Sequence, residues 1–198
     1  MYQTRKPLIL ASRSPRRKKF LETLGLSFQI TAADIEESRV ELETPETFVE
    51  RMAREKALAV GRLYPDAWIL AADTIVSIDD TIFAKPQSKA GAIDMLLMLA
   101  GREHRVMTAS CLFNQESAVE VVERACTTVR FSPFTERVAR AYVQTGEPLD
   151  KAGGYGIQGR GGALVESICG SYSNVVGLPL AETLALLQRF DVIAVDKG

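Results

Sequence analysis

Trp68-Ile69-Leu70-Ala71-Ala72-Asp73-Thr74-Ile75-Val76-Ser77-Ile78 is an almost unbroken apolar run. It is too long for a half-exposed strand with alternating polarity and reads as a strand covered on both faces. Asp79-Asp80 follows as a hairpin turn, and Thr81–Phe83 returns along it. A doubly covered strand implies helices on both sides of a sheet, and the hairpin argues against a purely parallel one. The expected class is mixed α/β.

The flanking sequence supports that class. Leu8–Ala11 reads as a short buried strand, Phe28–Ala32 as another, and Arg105–Phe113 with Val119–Phe131 as a long antiparallel pair. Helices are expected from Pro15 through Leu24, from Thr44-Pro45 to about Tyr64, over Ser88–Leu99, Thr135–Thr145 and Leu180–Phe190. Ser14 and Thr44 suit N-caps, each with Pro at the first helical position. Asp34–Glu43 reads as an acidic loop, Asp150–Gly162 as a Gly-rich loop, and Ala163–Ile168 as a strand.

The bulk properties exclude several classes. The 198 residues, 46% hydrophobic and 25% charged, suit one soluble domain spanning 1–198. A formal net charge of −1 offers no global field for nucleic acid. Cys111, Cys126 and Cys169 are far apart and His104 is the single histidine, which argues against a structural zinc site or disulfide framework. Reduced thiols suggest the cytoplasm. No stretch nears the roughly 20 apolar residues of a membrane span, and the N-terminus does not read as a signal peptide.

Certain residues sit against their local grain. Arg13, Arg16, Arg17, Lys18 and Lys19 crowd the start of the first helix, where acidic side chains are favoured. Such a cluster suits an anionic ligand, and a strand-to-helix turn is where phosphates bind. Lys56 shares the apolar helix stripe of Phe48, Val49, Met52 and Ala53. Asp73 is a carboxylate inside the apolar strand and must be paired, metal-bound or exposed. If desolvated, it would have the raised pKa of a general base. Pro86 stiffens the backbone beside Lys85. Glu36, Glu37 and Asp34 offer oxygen ligands for a divalent cation. Gln158 in the Gly-rich loop can both donate and accept, as reading a nucleobase edge requires. His104 lies in a helix-to-strand connection with no partner suggested, so Ser–His–Asp and Cys–His mechanisms are rejected.

Together these motifs resemble the Maf family of nucleoside triphosphate pyrophosphatases. The resemblance runs nearly end to end: Leu8–Arg17 (LILASRSPRR), Asp34–Glu37 (DIEE), Arg51–Ala57 (RMAREKA), Ala72–Val76 (ADTIV), Lys85-Pro86, Gly101–Thr108 (GREHRVMT), Gly146–Gly159 (GEPLDKAGGYGIQG) and Gly170–Leu180 (GSYSNVVGLPL). It implies an elongated mixed sheet flanked by helices, with a cleft between two lobes, related to inosine triphosphate pyrophosphatases. It also implies hydrolysis of a nucleoside triphosphate between the α and β phosphates, with a divalent metal cation, Mg²⁺ or Mn²⁺, as cofactor. By the same resemblance Asp73 is the catalytic acid that activates water. Ser12, Arg16, Arg17, Lys56 and Lys85 surround the triphosphate, and Glu37 lies near the metal.

Arg16, Thr74 and Gln158 resemble the branch that acts on dTTP and UTP. The branch acting on 7-methyl-GTP has an aromatic residue at the first place and Gln at the second. The expectation is therefore a housecleaning pyrophosphatase for dTTP and UTP, with modified pyrimidine nucleotides as candidate additional substrates. The alternatives are the same reaction on another nucleotide, such as 7-methyl-GTP, or a nucleotide-sensing regulator of cell division. Nucleic acid and membrane are not expected as partners. A homodimer is compatible with the family, where dimers are common.

Overall fold

The computed structural model describes residues 1–196. Its chain order is β1 (Tyr2–Thr4), β2 (Leu8–Ala11), α1 (Pro15–Thr23), β3 (Gln29–Ile30), α2 (Pro45–Gly61), β4 (Trp68–Ile78), β5 (Thr81–Phe83), α3 (Lys89–Leu99), β6 (Glu103–Asn114), β7 (Val119–Phe131), α4 (Glu136–Gln144), β8 (Val165–Cys169), α5 (Tyr172–Val176), α6 (Leu180–Arg189) and β9 (Ile193–Val195). The main sheet has the order β3-β2-β4-β6-β7-β8, with β5 paired to β4. The mixed α/β class is therefore observed.

The apolar run at 68–78 forms one strand with the expected bounds. Its N-terminal half pairs parallel with β2, Leu8 opposite Trp68 and Ala11 opposite Ala71. Its C-terminal end turns through Asp79, at φ +52°, into antiparallel β5. Asp tolerates that left-handed conformation better than most side chains. Parallel pairing needs a long crossover, which α1 supplies between β2 and parallel β3. At the far edge β8 pairs antiparallel with β7, with a register shift between Arg130 and Phe131.

The caps follow the sequence. Ser14 and Thr44 cap α1 and α2 with Pro first in each helix, and Ser88 caps α3 by accepting from Gly91 N–H at 3.0 Å. Elsewhere the bounds differ. The strand expected over 28–32 shortens to Gln29–Ile30, with both residues exposed. Helix α2 ends at Gly61, where a Cβ would lie 2.3 Å from the Phe113 ring. His104 lies inside β6 and not in a connection. The Gly-rich loop is ordered into three short 3₁₀ turns at Glu147–Asp150, Ala152–Gly154 and Arg160–Leu164.

Two compact units make up the chain. The first comprises Met1–Asp73, Thr108–Ala125 and the described residues from Gly177 on. Its core packs Leu8, Leu10, Leu21, Leu70, Leu112 and Leu187. The second comprises Thr74–Met107 and Cys126–Val176. Its core packs Val76, Leu96, Leu99, Val106, Val129 and Phe131. Strands β4, β6 and β7 contribute residues to both units.

Candidate active site

The first unit gathers six of the residues singled out from the sequence: Ser12, Arg16, Arg17, Glu37, Lys56 and Asp73. Along β4 every residue is buried except Asp73 and Thr74. The strand is thus accessible only where its lone carboxylate stands. An ionised carboxylate survives at such a place only with charged or hydrogen-bonding partners.

Lys56 is that partner. It follows the buried Met52 and Ala53 on α2, and its side chain is 12% exposed against 13% for Asp73. The Lys56 ammonium lies 2.6 Å from Asp73 Oδ1 and 2.7 Å from Glu37 Oε1. A half-buried ammonium therefore bridges two carboxylates from a strand and a loop. A lysine can lay its apolar stem along a buried face while its head meets polar partners.

Arg17 fixes the floor of the site. Its Nε donates to the Gly177 carbonyl at 2.7 Å, and its Nη1 donates to the Ala72 carbonyl at 2.7 Å and to Ser12 Oγ at 3.2 Å. Ala72 immediately precedes Asp73, so Arg17 ties the start of α1 to the backbone that presents the carboxylate. Burial lowers the Arg17 guanidinium pKa, Asp73 opposes that shift, and the neighbouring Arg16 adds to it. Buried Ser12 also accepts from Ser14 N–H at 3.1 Å, which shapes the strand-to-helix turn. No acidic side chain occupies the first turn of α1. The N–H groups and dipole at that end favour an anion.

The acidic loop is clasped from α2. Arg51 donates to both Glu43 oxygens at 2.7 Å, to the Ser38 carbonyl at 2.9 Å and to Glu55 at 3.0 Å. The Arg51 guanidinium holds the Glu43 carboxyl below its ordinary pKa, and Glu43 raises that of Arg51. Glu37 lies just before Ser38, so this clasp governs the segment that brings Glu37 to Lys56. The sequence reading missed it. The signal available was Arg51 on α2, one turn before Glu55 and following the acidic stretch at 34–43 in the chain.

Asp73 and Glu37 are hard oxygen donors of the kind Mg²⁺ and Mn²⁺ take. Among the described residues no group of three or more His, Cys, Asp or Glu side chains could hold a metal ion. Two carboxylates with the remaining positions left to water and substrate phosphate is a usual Mg²⁺ arrangement. The donor set fits a metal shared with substrate.

Thr74, Lys85 and Gln158 belong to the second unit. Lys85 is exposed beside buried Pro86, Gln158 is exposed, and Thr74 is half-buried. His104, for which the sequence suggests no partner, has one. It is 2% exposed, and its Nε2 lies 2.8 Å from the Tyr155 hydroxyl. The Phe131 and Tyr155 rings pack edge-on against it. Burial drives its pKa down to about 4, so the ring is neutral at pH 7. The pairing makes His104 a core residue.

The described residues contain no helix long and apolar enough to cross a membrane. The chain is 53% identical over 195 residues to a protein of Desulfotalea psychrophila named dTTP/UTP pyrophosphatase, covering 98% of this chain and 100% of that one. It is 46% identical over 187 residues to a protein of the same name from Salmonella typhimurium, covering 94% of each. A solved dITP/XTP pyrophosphatase from Mycobacterium abscessus covers 92% of this chain and 94% of its own at 15% identity, with a TM-score of 0.48. The profile of the Maf-like proteins matches residues 7–190, spanning the turn of Ser12 and Arg17, the bridge of Lys56 and the opening of β4 at Asp73; the chain belongs to the Maf family.

Proposed function

We propose that this chain hydrolyses dTTP and UTP between the α and β phosphates, releasing the nucleoside monophosphate and pyrophosphate, with Asp73 activating the water. One observation carries the reading: a lysine ammonium bridges two carboxylates where an otherwise buried strand opens, beside a basic helix start. The name shared by relatives 46–53% identical over more than nine-tenths of the chain supports the reaction and the substrates.

The chemistry follows from the residues. Ser12, Arg16, Arg17, Lys56 and Lys85 are proposed to surround the triphosphate. Lys56 is held 2.6 Å from Asp73. Phosphate oxygens compete for that ammonium, and its transfer to them releases the carboxylate to accept a proton from water. Asp73 orients this water in line with the α phosphorus, and the pyrophosphate leaves with its charge offset by the surrounding cations. A Mg²⁺ or Mn²⁺ ion, when bound, polarises the phosphoryl oxygens and offsets their charge. Glu37 and Asp73 are the proposed protein ligands, and Arg17 keeps the Asp73 backbone in register.

Base choice is assigned to Arg16, Thr74 and Gln158. A uracil or thymine edge presents two carbonyls and one N–H, which the amide of Gln158 can match. The cytoplasm is the proposed location, and removal of non-standard nucleotides is the proposed role.

The test is pyrophosphate release from a panel of canonical and modified triphosphates, with Mg²⁺, Mn²⁺ or chelator. The expected result is metal-dependent release from dTTP and UTP ahead of purine nucleotides and CTP. Release from 7-methyl-GTP alone would retain the reaction and overturn the assignment of base choice. Nucleotide binding with no release from any substrate would contradict the enzymatic reading.

A further inference from the structure

The Gly-rich loop that carries Gln158 hangs on two side chains of a neighbouring segment. Tyr142, on α4, donates its hydroxyl to Glu147 Oε1 at 2.9 Å and accepts from Gly156 N–H at 3.1 Å. Glu147 accepts from Arg160 N–H at 3.0 Å through Oε2 and from Gly161 N–H at 3.1 Å through Oε1. The backbone is therefore pinned on both sides of Gln158, at 156 and at 160–161.

The glycines fit this brace. A Cβ on Gly159 would lie 2.6 Å from the Glu147 carboxylate. One on Gly161 would lie 2.5 Å from the Tyr142 hydroxyl and 2.7 Å from the Gly156 carbonyl oxygen. Only glycine lets the loop approach this closely. Burial pushes the Glu147 carboxyl pKa up, but donation from Gly161, Arg160 and Tyr142, with Lys151 nearby, outweighs it and holds Glu147 ionised. Lys151 itself donates to the Glu147 carbonyl at 2.6 Å. Charge-assisted bonds from a fixed carboxylate to backbone N–H groups are among the stronger ones in a protein.

We propose that Glu147 and Tyr142 are positioning residues that set base selectivity by fixing the backbone around Gln158. The proposal rests on the reading of Gln158 as the residue that meets the base. A glutamine amide can present either its oxygen or its NH₂, so it separates uracil from cytosine only when the frame around it is rigid. Uracil offers a carbonyl and an N–H where cytosine offers an amino group and a bare ring nitrogen. A loosened frame lets the amide satisfy either base, and specificity, which is a difference of two affinities, falls.

UTP and CTP are nearly isosteric and make the test. In wild type, Glu147→Ala, Glu147→Gln and Tyr142→Phe, kcat/KM is measured for both, alongside amide exchange at Gly156, Arg160 and Gly161. The UTP-to-CTP ratio should fall about tenfold or more in Glu147→Ala and Tyr142→Phe, a change of roughly 1.4 kcal/mol. Glu147→Gln retains an acceptor oxygen and should recover part of the ratio. Exchange should quicken at the three amides and not across β6 and β7. Tyr142→Phe removes a single oxygen and keeps the test available if Glu147→Ala does not fold. A ratio unchanged in folded variants, or equal losses on both nucleotides, overturns the proposal, as does unchanged exchange. A wild-type chain that cleaves neither nucleotide contradicts the functional reading instead, while exchange still decides whether the brace exists.

Discussion

Asp73 was legible because a carboxylate breaks the apolar run of β4, and Lys56 because a cation breaks an apolar helix stripe. What was not legible is that they meet. Their contact at 2.6 Å depends on how α2 lies against β4, which no local pattern encodes. Removal of the carboxylate separates chemistry from binding. Asp73→Asn should lower kcat by about 10²- to 10⁴-fold, the usual contribution of a positioned general base. Nucleotide binding, followed by calorimetry, should persist. A variant with full turnover would remove Asp73 from the mechanism.

His104 teaches the same lesson about distance. Its partner Tyr155 lies 51 positions away, so the sequence offered no hint of the pair. The folded pKa of about 4 lies below the ordinary 6.5. The unfolded chain therefore binds the extra proton first as pH falls. Stability from this group is complete above pH 6.5 and is lost as pH drops through 4. The loss approaches about 3 kcal/mol at most. Urea unfolding across pH 4 to 7 should show a shallower acid decline for His104→Gln than for wild type. Parallel declines would show that the imidazole does not titrate in this way.

At the scale of elements, helices were read well where caps and punctuation coincide. Ser14-Pro15, Thr44-Pro45 and Ser88 each start a helix as the local chemistry requires. The short elements β1, β9 and α5 escaped, because three to five residues carry too little periodicity. Strands β1 and β9 pair with each other, a contact between the two ends of the described chain. The loop at 34–43 read as an acidic segment with candidate cation ligands, and its clasp by Arg51 through Glu43 and the Ser38 carbonyl was not legible. Arg51→Ala should open this loop to limited proteolysis and raise the Mg²⁺ concentration for half-maximal activity severalfold. Arg51→Lys should behave much the same, since an ammonium cannot reproduce the forked contact. An unchanged cleavage pattern and an unchanged Mg²⁺ requirement would show that Glu37 does not depend on the clasp.

For the molecule as a whole, the mixed α/β class followed from one doubly covered strand and one hairpin. The family resemblance held across residues 7–190. The resemblance implies two lobes, but the bounds of the two compact units were not legible, because β4, β6 and β7 each feed both cores and no linker marks a boundary. The same strand that joins the two sets of residues presents Asp73 at its one opening. The proposed attack of water there is on the α phosphorus. Hydrolysis of dTTP in ¹⁸O-water, with products resolved by mass spectrometry, tests it most directly. The expected products are dTMP carrying one ¹⁸O and unlabelled pyrophosphate. Label in pyrophosphate would place the attack at the β phosphorus, and dTDP with inorganic phosphate would place the cleavage between the β and γ phosphates; either result would rule out hydrolysis at the α phosphorus.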